Sequence, residues 1–227
     1  MLQGRRKVLA LLAVLGVAFV APGVASAQDA VAGAFLESMT HDVFAKLADS
    51  SLSQTEKARD LRSLFRQNFD VPAISRFVLG KYWRKASTAE RQDFLHVFEE
   101  MNTRQFLAMV GEFSEEMFSI VKVQQDGANP SLSLVSTKIA QSDGEPISAV
   151  WRIRNKDDQH KVFDIVIEGV SMAITLRHEY AAVVRTDGVD GLIAIMREKN
   201  ATLAAGEIVA LGTTTDDDPD ARPDPSQ

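Results

Sequence analysis

Four histidines, two carboxylates four residues apart and a serine two residues after a glycine are the residues of this chain whose types and spacing could do chemistry. His41, His96, His160 and His178 are scattered, without the i, i+4 spacing by which one helix face offers two imidazoles to zinc. Cysteine is absent, which removes disulfides, thiolate metal sites, cysteine nucleophiles and any lipid-modified N-terminal Cys. Asp164 and Glu168 lie on one face of a strand-like segment, opposite Phe163, Ile165 and Ile167. They have the types for an acid/base pair, and equally for the solvated outer face of a sheet, which is the expectation adopted. The corner Glu168-Gly169-Val170-Ser171 could present a nucleophilic serine, but a strand running into a bend accounts for Gly169 without chemistry. The chain has no Gly-x-Ser-x-Gly elbow, no glycine-rich phosphate loop and no dinucleotide-binding fingerprint. Charge recognition remains. Lys81, Arg84 and Lys85, and separately Arg152 and Arg154, can meet a lipid phosphate or a partner's acids, or simply keep a helix-loop and a sheet edge soluble.

Composition bounds the partners. With 45% apolar and 25% charged residues among 227, the chain is neither fibrous nor wholly disordered. Its net charge is −6, and the first 27 residues hold three bases and no acid, which leaves 22 bases against 31 acids, or −9, in residues 28–227. Such a surface repels phosphate backbones and anionic headgroups, so nucleic acid is not an expected partner. Arg5-Arg6-Lys7, then fourteen uncharged residues from Val8 to Ala21, then small residues at Ala25 and Ala27, predict a secretory signal over residues 1–27 with cleavage before Gln28. A helix of that uncharged length reaches about 21 Å, short of a hydrocarbon core of about 30 Å, so a membrane anchor is the poorer reading.

The elements that must position these residues fall in three blocks. Phe35, Leu36, Met39, Val43, Phe44 and Leu47 recur at steps of three and four and predict a helix over 30–48. Ser53-Gln54-Thr55-Glu56 reads as a capping box opening a second helix to about Phe69. Pro72 suits the first turn of a third, over 73–79, which Gly80 can close. Ser87-Thr88-Ala89-Glu90 opens a long helix whose stripe is Phe94, Phe98, Met101, Phe106, Met109, Val110, Phe113 and Met117. Alternation then predicts four antiparallel strands over 119–125, 132–141, 147–154 and 161–168, joined by hairpins. Ile147, Ala149, Trp151 and Ile153 point to one face of the third. A last helix is expected over 189–199, flanked at its start by Gly188 and Gly191. Residues 213–227, with five Asp and three Pro, bury too little apolar surface to offset ordering entropy and should be a disordered acidic tail. The expectation is a single α+β domain over 28–212, with N-terminal helices packed on a twisted, mostly antiparallel four-stranded sheet and C-terminal helices beside it.

Two stretches resemble the MlaC family, the toluene-tolerance auxiliary proteins. The first is Phe77-Val78-Leu79-Gly80-Lys81-Tyr82-Trp83-Arg84-Lys85-Ala86-Ser87, followed by Glu90-Arg91-Gln92 and Phe94. The second runs from Val162 through Glu168-Gly169-Val170-Ser171-Met172, with Arg177, Tyr180, Arg185 and Gly188-Val189-Asp190-Gly191-Leu192 beyond it. The similarity spans about residues 30–199, and a hopanoid-associated branch, HpnM, is similar in the same segments. The resemblance implies a non-enzymatic periplasmic carrier of phospholipid, or alternatively of a hopanoid or other isoprenoid lipid. It would shuttle between an outer-membrane lipoprotein/porin complex and an inner-membrane ABC transporter with its substrate-binding subunit. No metal and no cofactor beyond the bound lipid are expected, and any ATP use belongs to a partner. His160 stands where the family often has an aromatic residue, and Phe163 and Leu176 where it often has Tyr, which removes hydroxyls from those positions.

Under that reading an apolar cavity lies between helices and sheet. Its expected lining is Phe77, Val78, Tyr82, Phe98, Met101, Ile147, Ala149, Trp151, Ile153, Phe163, Ile165, Val170 and Met172. The residues alone leave two competitors open. One is a small-molecule enzyme on a cone-shaped α+β fold using Asp164, Glu168 or His178; the other is a periplasmic adaptor whose core is closed.

Overall fold

A computed structural model describes residues 27–110, 114–156 and 159–212. Residues 1–26 of the expected leader and the acidic stretch 213–227 lie outside the described residues. Helix α1, Ala27–Ala48, buries Leu36, Met39 and Val43 along one side. Helix α2, Gln54–Asn68, starts at the expected capping box: Ser53 Oγ accepts from the Glu56 amide at 3.3 Å, and the Glu56 carboxylate accepts from the Ser53 amide at 2.9 Å. Helix α3, Val71–Leu79, has Asp70 as its cap and Pro72 in its first turn. Gly80 closes it at φ 57°, and a Cβ there would stand 3.0 Å from the Arg177 guanidinium. Arg177 donates to the Phe77 carbonyl at 2.8 Å and lies over the Phe77 ring, so the glycine is required by both backbone angle and space.

The short helix α4, Lys81–Lys85, leads into α5, Thr88–Val110, where Ser87 and Glu90 repeat the reciprocal capping bonds at 3.1 and 2.7 Å. Arg91 holds α4 from below by donating to the carbonyls of Trp83 and Arg84. The stripe of α5 is shorter than expected. Among the described residues the helix ends at Val110, Phe113 lies outside them, and Met117 belongs to a single 3-10 turn, Glu115–Met117.

The strands follow as β1, Phe118–Gln125; β2, Leu132–Ile139; β3, Ile147–Lys156; β4, Gln159–Ile167; and β5, Val170–Ser171. They form one antiparallel meander in chain order, so the expected four strands gain a two-residue fifth beyond the Glu168-Gly169 corner. Pairing puts Val135 opposite Trp151 and Ile153 opposite Val162, and these side chains, with Ala149, make the buried face. Helix α1 lies against β1 and β2, Gly33 bringing its backbone within reach of the Val123 side chain.

Chain after β5 is helical from its first residue. Helix α6, Met172–Gly212, is bent at Gly188, whose φ of 74° breaks the run. The helix expected only over 189–199 is therefore preceded by a full helical segment. Ser171 starts it: its Oγ accepts from the Ile174 amide at 3.1 Å, so this serine caps the helix.

Hydrogen bonds from Ser87 hold the Glu90 carboxyl below its ordinary value of 4.5, so the cap contributes stability above that pH and loses it as pH falls through the lowered value. Ser87→Ala should lower Tm by about 2–4 °C at pH 7 and by less at pH 3, read by circular dichroism.

Candidate functional site

Among the pockets between the helices and the sheet, two are apolar. The larger, about 360 Å³, is walled by Phe65 of α2 and Phe69 just past its end, Val71 and Ile74 of α3, Phe98 and Phe106 of α5, Val162 to Ile165 of β4, and Met172, Ala173 and Leu176 of α6. Phe65 and Phe69 stack at 4.4 Å and both meet Phe106 within 5.6 Å, a ring cluster in which each side chain keeps the others in place. The exposed members of the lining are Met109 and Glu179, which mark where the space reaches solvent. No Lys, Arg or His is among the lining residues.

Most of the polar groups in that wall are satisfied by the protein itself. Asn102 donates to the Phe98 carbonyl at 2.7 Å, and Thr175 to the Ser171 carbonyl at 2.9 Å. Asp164 accepts from the Ser171 hydroxyl at 2.6 Å and from the Ala173 amide at 2.9 Å, with an Arg152 guanidinium nitrogen at 3.6 Å. These bonds leave little hydrogen-bonding demand inside, so the space favours hydrocarbon over water.

A bulge shapes the floor. In the pairing of β3 with β4, Arg152 faces Asp164 and Ile153 faces Val162, so Phe163 is one residue too many and the strand bends there. The displaced Phe163 ring meets Phe77 edge-on at 5.5 Å and receives the Arg154 guanidinium at 4.8 Å. The smaller pocket, about 70 Å³, is lined by Met39, Val43 and Phe44 of α1, with Phe118, Ile139 and Trp151 of the sheet. Phe106 and Met109 line both pockets and so form the partition between them. Trp151 donates to Thr137 Oγ1 at 3.1 Å, which donates onward to the Ala149 carbonyl, so the indole brings no unpaired N–H into the smaller space.

The structure brings five of the thirteen expected lining residues to these pockets: Phe98, Phe163, Ile165 and Met172 at the larger and Trp151 at the smaller. Val78, Met101 and Ile153 are instead packed in the closed core and Ala149 is buried on the sheet, while Phe77 and Tyr82 lean against the core. Ile147, half-buried near the start of β3, lines neither pocket. Val170 is corrected outright: it is 52% exposed, because β5 is a two-residue edge turned outward by the corner at Glu168 (φ 48°) and Gly169 (φ 82°). Sequence reasoning missed Phe65, Phe69, Phe106, Met109 and Leu176. The i, i+4 pair of phenylalanines on α2 was the available signal.

Asp164 is the second correction. Expected on a solvated face, it is buried and spent on the start of α6, so it is not free to act as an acid or base. Glu168 is exposed and accepts from the Ser148 amide. His178 and His96 are exposed, His41 meets Glu115 at 3.2 Å, and His160 tilts against Phe35. Burial among Phe94 and Phe98 pushes the Tyr180 phenol well above its ordinary value of 10.0. Among the described residues no three His, Cys, Asp or Glu side chains group as metal ligands, and no helix is long and apolar enough to cross a membrane.

Helices over one face of an antiparallel meander, with an apolar space between the layers, define an α+β fold shared with a solved structure. That structure is the phospholipid-binding protein of Ralstonia solanacearum in complex with a phospholipid, similar at a TM-score of 0.65 and 22% identity over 76% of this chain and 98% of that one. Residues 37–198 match the family model described as MlaC protein, and the chain belongs to the MlaC family. It is 28% identical over 124 residues to the intermembrane phospholipid transport system binding protein MlaC of Haemophilus influenzae, a match that covers 53% of this chain and 58% of the relative's length.

Replacing Asp164 by Ala removes the carboxylate that accepts from Ser171 and from the Ala173 amide at the start of α6, and leaves Arg152 with Asp126 as its remaining acidic partner. The change should lower the unfolding free energy by about 2 kcal/mol, measured by urea denaturation.

Proposed function

We propose that the protein is a soluble periplasmic carrier of phospholipid, holding acyl chain in the larger pocket. It receives and delivers lipid by docking, between an outer-membrane lipoprotein/porin complex and the substrate-binding subunit of an inner-membrane ABC transporter. The observation that carries the reading is the apolar space of about 360 Å³ whose polar wall groups are largely bonded to the protein. A dry apolar cavity of about 150 Å³ takes a benzene ring, so this one takes on the order of fourteen carbons, the size of one fatty tail. Water in that space would meet few groups free to hydrogen-bond with it, so keeping it hydrated is costly. Hydrocarbon removes that cost and adds about 0.8 kcal/mol per methylene taken from water. The printed descriptions of the Haemophilus and Ralstonia proteins, phospholipid transport and phospholipid binding, support the same ligand class.

No step in this cycle breaks a covalent bond. The chains leave one apolar site for another, and the relative affinities of donor, carrier and acceptor decide the direction. The walls suit exchange, since Met109 and Met172 adapt to tails of different length more readily than branched side chains would.

Protein purified without detergent should yield phospholipid on solvent extraction and mass spectrometry. Leu176→Trp, which grows a ring into the larger pocket from the face of α6, should keep the fold and Tm while lowering recovered lipid by about tenfold or more. Val170→Glu, on the exposed edge, should leave lipid recovery unchanged. An empty wild-type extract, or undiminished lipid in the Leu176→Trp protein, would sink the reading.

A further inference from the structure

Beside the apolar pocket runs a groove of about 350 Å³ with the opposite chemistry. Helix α3 separates the two: Val71 and Ile74 face the pocket, while Asp70, Pro72, Ala73 and Arg76 face the groove. Strand β4 divides in the same way, with Val162 on the pocket and Lys161 on the groove. Arg154 of β3 completes a set of three cations from three elements, with Asp70 as the one carboxylate of the lining.

That carboxylate is already spent. Asp70 Oδ1 accepts from the Ala73 amide at 3.2 Å and Oδ2 from Arg154 at 2.9 Å. Arg76 and Lys161 make no ion pair with any described residue; Arg76 lies only 5.7 Å from the Trp83 ring. Arg154 and Lys161 are moreover direct partners across β3 and β4. Like charges placed opposite one another on a sheet destabilise it; here Asp70 relieves Arg154 at 2.9 Å, while Lys161 has no ion-pair partner among the described residues. The arrangement is the more unusual in a chain whose residues 28–227 carry a net charge of −9.

We infer that this groove binds a phosphate group. The Arg154 and Arg76 guanidinium groups offer paired donors to phosphate oxygens, and Lys161 adds a mobile point charge. The pocket wall itself offers no cation to the phosphate of a bound lipid, and the three cations of the groove lie across α3 from it. Such a phosphate belongs either to the headgroup of that lipid or to a free phosphate ester.

The test is calorimetric titration of the full chain, freed of bound lipid, with glycerol 3-phosphate and with inorganic phosphate at low salt, glycerol serving as the uncharged control. Saturable binding to both phosphates, absent for glycerol, is expected to weaken about tenfold in Arg76→Gln/Lys161→Gln and to return in Lys161→Arg. Unchanged binding in the double variant, or no saturation by about 10 mM phosphate, overturns the inference. Both positions are partly or fully exposed, so the double variant should match the wild-type Tm. Repeating the titration on protein loaded with phosphatidylglycerol separates the sources: loss of phosphate binding assigns the groove to the lipid's own headgroup, and retained binding assigns it to a free anion. That second arm rests on the carrier reading. The first does not, so failure of one is distinguishable from failure of the other.

Discussion

Asp164 accepts from Ser171 and from the Ala173 amide while facing Arg152 across the β3–β4 ladder, and much of the architecture hangs on that one carboxylate. It stands directly after the bulged Phe163, on the strand that floors the pocket, and it sets where α6 leaves the sheet. Removing two oxygens there would free the start of the helix that supplies Met172, Ala173 and Leu176 to the wall. The separation of helical and sheet layers is therefore held by polar bonds at the edge of the pocket, because its apolar middle has nothing to hold it open.

The same division of labour recurs elsewhere. Arg177 binds the Phe77 carbonyl and ring, Arg91 binds the carbonyls that end α4, and Arg154 joins Asp70 at the start of α3. Each bond ties a helix end to a neighbouring element with a charged donor, and charge-assisted bonds to backbone are worth more than neutral ones. A closed core needs no such ties, since interdigitated side chains define the spacing themselves. Where the layers must stand apart, the spacing has to be set from the rim.

Legibility in the sequence followed the range of the interaction. Both capping boxes, the Pro72 start and Gly80 stop of α3, and four strands with their turns were readable because each depends on residues within a few positions of one another. Ile147, Ala149, Trp151 and Ile153 share a face for the same reason: alternation is a local property of the strand. The first half of α6 was not readable, since the carboxylate that holds its start, Asp164, lies on β4, seven residues before Ser171 and nine before Ala173. Nor was the burial of Asp164, which the alternation of β4 placed outside. That inference failed because Phe163 bulges and the start of α6 folds over the strand's far side.

What the sequence determined by itself was most of the elements, apart from α4, β5 and the first half of α6, and the apolar side of those it showed, because period and capping are written in neighbouring residues. Tertiary structure alone decided which apolar residues face a space and which face each other: Val78 and Ile153 pack shut, Phe69 and Phe106 border an opening, and Val170 faces solvent. A hydrophobic pattern reports only that a side chain avoids water. How far away the opposite wall stands depends on bulges, helix ends and ion pairs that join residues distant in the chain.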